Sequence, residues 1–194
     1  MKGTSMKRIT LFLLCVGVTL CYAAGFSIRS EAASEGKEQT YKGSIKISQK
    51  QRAHIADLAK IALADAAQTA LAASPGQAVK AGLEIDEDNY LIYSIAVVGA
   101  DGKITDVKVD AGTGKVLTSE KGTRASVDSK ASLAKITLAE AVQKALTASP
   151  GQAMKAGLES DKAALIYSVA VVGADGKTTQ VKIDAGTGKI LPAK

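Results

Sequence analysis

The chain carries an internal duplication, and this feature constrains its fold more than any other. Residues 63–84 read LADAAQTALAASPGQAVKAGLE, and residues 138–159 repeat them as LAEAVQKALTASPGQAMKAGLE at an offset of 75. Residues 91–117 recur as residues 165–191 at an offset of 74. A solenoid needs at least three repeats to build its continuous core. The sequence therefore predicts a tandem pair of like domains.

The start of each repeat has the apolar spacing of an amphipathic helix. In repeat two, Thr137 followed by Glu140 is the signature of a capping box, and a Pro-Gly pair ends the pattern. Repeat one has Ala62 at the capping position, so its helix is expected to start upstream, where Ser48 can act as the cap. The pattern predicts a longer or bent helix over residues 49–73.

After the Pro-Gly pair the apolar period changes to two, which is typical of strands. An Asp-Gly pair within each repeat favours a tight hairpin. The strands are predicted at residues 77–84, 90–98, 104–110 and 115–117, and at residues 154–159, 165–172, 178–184 and 189–191. The fold class is therefore α+β: each of the two tandem repeats is a helix packed on a small antiparallel β-meander with a short final strand. One face of the meander lies under the helix and the other is uncovered.

The N-terminus has the pattern of a secretory signal peptide. Basic residues precede an uncharged run that is shorter than a membrane-spanning helix and ends in small residues at about position 24. Both cysteines, Cys15 and Cys21, lie within residues 1–24, so the mature protein has no disulfide, thiolate nucleophile or Cys-bound metal. We expect an extracytoplasmic protein, periplasmic or secreted, and regard an uncleaved membrane anchor as the alternative.

Polar composition predicts the remaining boundaries. We expect a polar linker over residues 25–47, repeat one over 48–119, a second linker over 120–134 and repeat two over 135–194. Without the signal the net charge falls from +6 to +3, and the charges are interspersed. Aromatic residues make up only 4% of the chain. A nucleic-acid surface needs clustered basic residues and stacking aromatics, so this class of function is disfavoured.

The repeats end in a recurring motif, VDAGTGKVL at residues 109–117 and IDAGTGKIL at residues 183–191. With the helix ending in Pro-Gly and the Asp-Gly hairpin, this motif resembles the PepSY domain. The resemblance covers both repeats. It implies an exported module that inhibits or regulates peptidases, since PepSY domains occur in propeptides of thermolysin-type zinc metallopeptidases and in small exported proteins. It implies no catalytic residues, and the sequence contains no H-E-x-x-H motif.

The glycine-rich part of the closing motif invites comparison with a phosphate-binding loop. The Walker pattern requires glycine where Val109 stands and Ser or Thr where Val116 stands. The predicted loop also joins two strands, whereas a phosphate loop leads into a helix. We therefore expect a glycine-rich hairpin.

Two aspartates are candidate turn or binding residues. Asp110 and Asp184 each precede the closing turn, where a carboxylate can accept backbone N–H bonds. The alternative is an oxygen site for a hard cation, shared with Asp101 or Asp175. The acidic residues 86–89, present only in repeat one, are a second cation candidate.

Other polar residues offer weaker candidates. Tyr93 and Tyr167 occupy matching strand positions and are expected to pack in the core, or to act as binding anchors if exposed on the uncovered face. Ser94 and Ser168 recur without a base nearby in the sequence. His54 is the only histidine and is interpreted as a surface residue.

No constellation for catalysis or for a cofactor stands out in the sequence. The leading hypothesis is a non-enzymatic extracytoplasmic module that binds a protein or peptide, with a metallopeptidase as one candidate partner. Strand addition at an exposed sheet edge or docking on the uncovered sheet face would provide the contact. The alternative is an envelope protein that binds a small ligand or a divalent cation.

Overall fold

A computed structural model describes residues 42–121, 131–161 and 164–192. Repeat one contains a 3-10 helix Gln49–His54, α1 Ile55–Leu58, α2 Leu63–Ala73, β1 Gln77–Ile85, β2 Leu91–Val98, β3 Ile104–Asp110 and β4 Val116–Lys121. Repeat two contains a 3-10 helix Ala131–Leu133, α3 Leu138–Ala148, β5 Gln152–Asp161, β6 Ala164–Val172, β7 Thr178–Asp184 and β8 Ile190–Leu191. The predicted α+β repeat, a helix followed by an antiparallel meander, is confirmed.

The two repeats do not form separate sheets. All eight strands make one antiparallel sheet in the order β4-β3-β2-β1-β5-β6-β7-β8, and one compact unit spans Gln39–Lys194. At the junction Ala81 faces Ala156, and on either side Lys80 faces Gly157 and Gly82 faces Lys155. The same three residue types thus meet across a local twofold axis. Without this pairing, β1 and β5 would each expose a row of unpaired backbone groups.

Both long helices pack side by side on one face of the sheet. Their contacts with each other and with the sheet are made largely by buried alanines, namely Ala66, Ala67, Ala70, Ala141 and Ala145. Alanine lets backbones approach closely, so a continuous core forms with few aromatic side chains. The opposite face of the sheet presents exposed charged and polar residues, among them Lys80, Glu84, Lys155 and Glu159.

The prediction of one longer or bent helix over residues 49–73 is wrong, because the structure has three separate helical segments there. Ser48 does start a helix, since the Gln51 side chain accepts a hydrogen bond from its N–H at 3.0 Å, but it is the short 3-10 helix. The backbone then becomes extended at Ala59, and α2 begins directly after Ala62 although alanine cannot cap it. A tertiary contact explains the break: the N–H of Lys60 donates to Ala111 O at 2.9 Å.

Parts of both predicted linkers belong to the folded unit. Ile47 in the first predicted linker and Ala131 in the second are both buried. The 3-10 helix that contains Ala131 packs on β1 of the other repeat, as the equivalent α1 packs on β5. Strand β4 runs to Lys121, into the linker predicted over residues 120–134. The predicted signal peptide, residues 1–24, lies outside the described residues. Within the described ranges, no helix is both long and apolar enough to cross a membrane.

Candidate peptide-binding sites

The closing turn of repeat one is built on the buried carboxylate of Asp110. Its Oδ1 accepts hydrogen bonds from Ser44 N at 2.9 Å and Gly112 N at 3.4 Å, and its Oδ2 accepts from Thr113 N at 3.2 Å. Gly114, with φ of +73°, closes the turn by donating its N–H to Asp110 O at 2.9 Å. The predicted glycine-rich hairpin is therefore present between β3 and β4.

These donors determine the charge of Asp110. Burial by itself would raise the pKa of the Asp110 carboxyl, but hydrogen bonds from Thr113, Ser44 and Gly112 outweigh it and lower the pKa. The side chain is only 3% exposed. These N–H and O–H donors already engage the lone pairs of the carboxylate. Asp110 therefore holds the closing turn together and fixes the backbone of Ser44 on it.

A segment that we call the strap, residues 43–47, covers this turn. Its Ile45 O accepts a hydrogen bond from Leu91 N at 2.8 Å, and its Ile47 N donates to Asn89 O at 2.7 Å. A Cβ on Gly112 would overlap Ser44 Oγ and come within 3.0 Å of Ile45 Cγ1, so the strap lies directly on the turn. These residues were predicted to be polar linker. The signal that would have identified them is the alternation of apolar and polar residues in Ser-Ile-Lys-Ile-Ser.

The equivalent turn of repeat two has the same backbone donors to its aspartate. Asp184 Oδ1 accepts from Gly186 N at 3.1 Å and from Thr187 N at 2.6 Å. Hydrogen bonds from Thr187, first from its side chain and then from its N–H, lower the pKa of the Asp184 carboxyl. Among the described residues, no segment covers Asp184 in the way that the strap covers Asp110.

The two matching tyrosines are structural. Tyr93 and Tyr167 are fully buried on the helix side of the sheet, and their hydroxyls donate to Ile61 O at 2.7 Å and to Ile136 O at 3.2 Å. Each bond fixes the residue that leads into the helix above it. Because neither ring is exposed on the uncovered face, neither tyrosine can serve there as a binding anchor.

Replacing Tyr93 with Phe should lower the free energy of unfolding by about 1–2 kcal/mol, because a buried carbonyl loses its partner. Burial, reinforced by the negative charge of Asp65 and partly offset by Gln152, raises the pKa of Tyr93 from 10.0 to about 12. The stability contributed by the neutral hydroxyl is therefore complete below pH 10 and is lost as the pH rises through about 12.

Urea unfolding of the wild type and of Tyr93→Phe tests this linkage. The difference between their unfolding free energies should be largest at about pH 8 and should narrow above about pH 10. A constant difference across this range would show that Tyr93 does not ionise with a raised pKa. Tyr167→Phe is the matched variant, because burial also raises the pKa of Tyr167.

The predicted cation sites do not assemble. Asp101 and Asp110 lie at opposite ends of β3, about 20 Å apart given the rise of a seven-residue strand, and Asp175 and Asp184 are separated in the same way by β7. Asp86 instead accepts a hydrogen bond from Tyr90 N at 2.7 Å within its own loop. No cluster of three or more metal-ligating side chains occurs in the parts of the chain that the structure describes.

The remaining polar candidates stay apart from one another. His54 is exposed at the end of the first 3-10 helix. Ser168 is buried on the sheet side away from the helices, where its Oγ accepts a hydrogen bond from Gln180 Nε2 at 2.7 Å. Among the residues that the structure describes, neither has a partner that would make it a base or a nucleophile.

The two outer strands of the sheet differ. In repeat one, β4 pairs along most of β3, from Val109 opposite Val116 to Thr105 opposite Lys121. In repeat two, β8 is two residues long and pairs only with Lys182 and Ile183 of β7. The first three residues of β7, Thr178–Gln180, are exposed and have no strand on their outer side among the described residues.

The PepSY family, described as peptidase propeptide and YPEB domain, matches residues 60–120 and 135–191, which together are more than half of the chain. The protein belongs to the PepSY family. Each match spans one helix and the four strands that follow it, so this protein is a tandem PepSY protein whose two domains share one sheet.

One solved structure is similar to this PepSY chain. It is a protein of Clostridium difficile 630 described as a candidate lipoprotein, with 23% sequence identity and a TM-score of 0.40. The similarity covers 69% of this chain and 92% of that one. No curated protein sequence matches this chain significantly.

Proposed function

We propose that this protein is a non-enzymatic, extracytoplasmic module that binds an extended segment of a partner polypeptide at the outer edge of β7. The observation that carries the proposal is the difference between the two outer strands. Thr105 and Asp106 of β3 are paired with β4, whereas the equivalent Thr179 and Gln180 of β7 have no strand on their outer side among the described residues. Unpaired strand edges bind extended peptides by main-chain hydrogen bonding.

The ladder between β6 and β7 identifies the backbone groups that face outward. Gly173 N donates to Lys177 O at 2.9 Å, and Ala185 N donates to Leu165 O at 2.9 Å. In an antiparallel pair, every second residue bonds inward and those between them point to the other side. Thr178 and Gln180 therefore present their N–H and C=O groups to the outer edge, where a partner strand can pair with them.

A groove of about 550 Å³ runs along this edge. Its walls come from Thr178, Gln180, Lys182, Asp161, Leu191 and Pro192, among others. Lys182 Nζ and Asp161 Oδ2 form an ion pair of 3.3 Å at the surface. Leu191 and Pro192 line the same groove. A partner side chain can therefore make a polar contact with the ion pair and an apolar contact with these two residues. Pro192 also limits the chain's own final strand, since proline cannot donate to a ladder.

The family supports the proposed class of partner. PepSY modules are associated with peptidase propeptides, and a propeptide acts by contacting its peptidase. We propose an extracytoplasmic metallopeptidase as the partner. The signal-peptide pattern of residues 1–24 supports this location. The mature protein would then act as an inhibitor or regulator supplied in trans.

Thr178→Pro should weaken partner binding about fivefold or more. Proline removes one outward N–H, and each main-chain hydrogen bond contributes about 1 kcal/mol or more. The fold should persist, because proline is tolerated as the first residue of a strand and this N–H does not pair with β6. The measurement is the inhibition constant against extracytoplasmic zinc metallopeptidases of the same organism.

Thr178→Ala is the matched control, since it removes the same side chain and retains the N–H. Inhibition that is weakened by proline and unchanged by alanine would support strand addition at β7. If both variants inhibit as well as the unmodified protein does, the contact lies elsewhere. The absence of any inhibition by the unmodified protein would reject the peptidase partner.

A further inference from the structure

We propose a second peptide site in repeat two, on the closing turn at Asp184 and Gly186. It binds an extended segment with the chemistry of the strap: two small residues followed by a β-branched aliphatic residue. This site is separate from the outer edge of β7 and does not depend on the function proposed above. The duplication supports this second site, because repeat one contains the equivalent site with its occupant in place.

The occupied site in repeat one defines the contacts. In the strap, Ser44 N donates a hydrogen bond to the carboxylate of Asp110, and Ile45 O accepts one from Leu91 N. Ser44 lies directly on Gly112, which has no side chain to block it. Ile45 packs against the core beneath the turn, and Ile47 is buried at 4% exposure. The strap is thus an extended peptide held by a carboxylate, a backbone N–H and an apolar contact.

Repeat two retains each of these groups. Asp184 matches Asp110, and Gly186 matches Gly112. Leu165, the equivalent of Leu91, accepts a hydrogen bond from Ala185 N at 2.9 Å. Both backbone groups of a strand residue point to the same side, so Leu165 N–H also faces the position that the strap occupies in repeat one. Leu91 is fully buried beneath the strap, whereas Leu165 is partly exposed.

Among the described residues, the segment equivalent to the strap does not lie at this site. At an offset of 75, strap residues 43–46 correspond to residues 118–121, which belong to β4. There they pair with β3, with Thr118 opposite Lys108 and Ser119 opposite Val107. The same stretch cannot both extend the edge of repeat one and lie on the turn of repeat two. The described residues therefore leave the strap site of repeat two open to a segment from another molecule.

Steric details define the sequence that fits. A Cβ on Gly43 would come within 2.8 Å of Tyr90 Cβ, so the strap needs glycine at that position. The equivalent of Tyr90 is Ala164, which leaves room for other small residues. A Cβ built on Gly186 meets only Asp184 Oδ1, at 3.4 Å, so the space above this turn is open. A small second residue can lie there, followed by Ile or Val.

A synthetic peptide with the sequence of residues 41–48, YKGSIKIS, is the probe. It is titrated into residues 25–194, which contain the whole folded unit, and amide shifts are followed by NMR. We expect saturable one-to-one binding with shifts centred on Leu165, Ala185 and Gly186. Gly186→Leu should weaken the affinity at least tenfold by filling the space that the second residue needs. Methylation of the serine N–H in the peptide should have a similar effect, since it removes the donor to Asp184.

The outcomes separate this site from the one on β7. Thr178→Pro should leave the affinity for the peptide unchanged, so the two proposals can fail independently. The proposal is overturned if the peptide does not saturate at millimolar concentration or if Gly186→Leu binds it equally well. It is also overturned if the shifts lie only along Thr178–Gln180 or only around Leu91 and Gly112. A peptide of the same composition in scrambled order should show no saturable binding.

Discussion

A chain cut to residues 42–121 is expected to fold only as a homodimer and to be unfolded as a monomer. By itself this half leaves β1 as an unpaired edge and removes α3 from beside α2, so a small alanine-rich core loses one whole side. A second copy can replace the missing half. The junction residues Lys80, Ala81 and Gly82 are identical to residues 155–157, so β1 can pair with itself in the register seen between β1 and β5.

Concentration dependence tests this expectation. Circular dichroism and sedimentation velocity should show folded dimer at about 100 μM and unfolded monomer at about 1 μM, since dimer stability depends on protomer concentration. Ala81→Glu should abolish the dimer by placing a charge at the fully buried junction. In the intact chain, a flexible insertion within residues 122–130 should leave one concentration-independent unfolding transition. A folded monomeric half at all concentrations would contradict the shared-core interpretation.

Gly112→Leu is expected to lower the free energy of unfolding by about 3 kcal/mol. The new side chain would occupy the space of Ser44 and Ile45, so the strap must leave the turn. Ile47, now 4% exposed, would then become solvated, and burying one such side chain contributes about 1.5–3 kcal/mol. Asp110 would also lose the hydrogen bond from Ser44 N. Urea or thermal unfolding measures the change.

Gly186→Leu is the matched substitution in repeat two, and we expect it to change stability by less than about 0.5 kcal/mol. No strap lies on that turn among the described residues, and the added atoms meet open space. Equal losses for the two variants would show that the turn itself, and not the strap, requires glycine. Deleting residues 42–47 should lower the free energy of unfolding by about as much as Gly112→Leu does. It should not alter the small effect of Gly186→Leu on stability.

Local sequence patterns predicted most of each repeat. Strands β3 and β7 have the predicted bounds, and the capping box at Thr137 starts α3, with Glu140 N donating to Thr137 Oγ1 at 3.2 Å. These elements depend on side-chain periodicity and on turn residues a few positions away. The helix predicted over residues 49–73 failed because Lys60 is held by a carbonyl fifty residues downstream, which no local pattern reveals.

The candidate sites divide in the same way. The turn role of Asp110 and Asp184 was predictable, because an aspartate before a glycine-rich turn finds backbone donors within three residues. The different surroundings of the two turns were not predictable, because the turns are nearly identical in sequence. Their difference comes from what precedes each repeat: the strap reaches Asp110, while the corresponding residues after Leu117 are paired into β4.

The sequence by itself therefore determined the repeat, its α+β elements, its closing turns and the PepSY resemblance, since each depends on residues close together in the chain. Only the tertiary structure decided that the two repeats share one sheet and that the strap belongs to repeat one. It also decided that, within the described residues, the first part of β7 and the turn at Asp184 are uncovered. The physical reason is that nearly all residue types have the same backbone N–H and C=O groups, so side chains alone do not determine which strands hydrogen-bond to each other. Which edge pairs with which segment depends on the segments that the fold brings within reach.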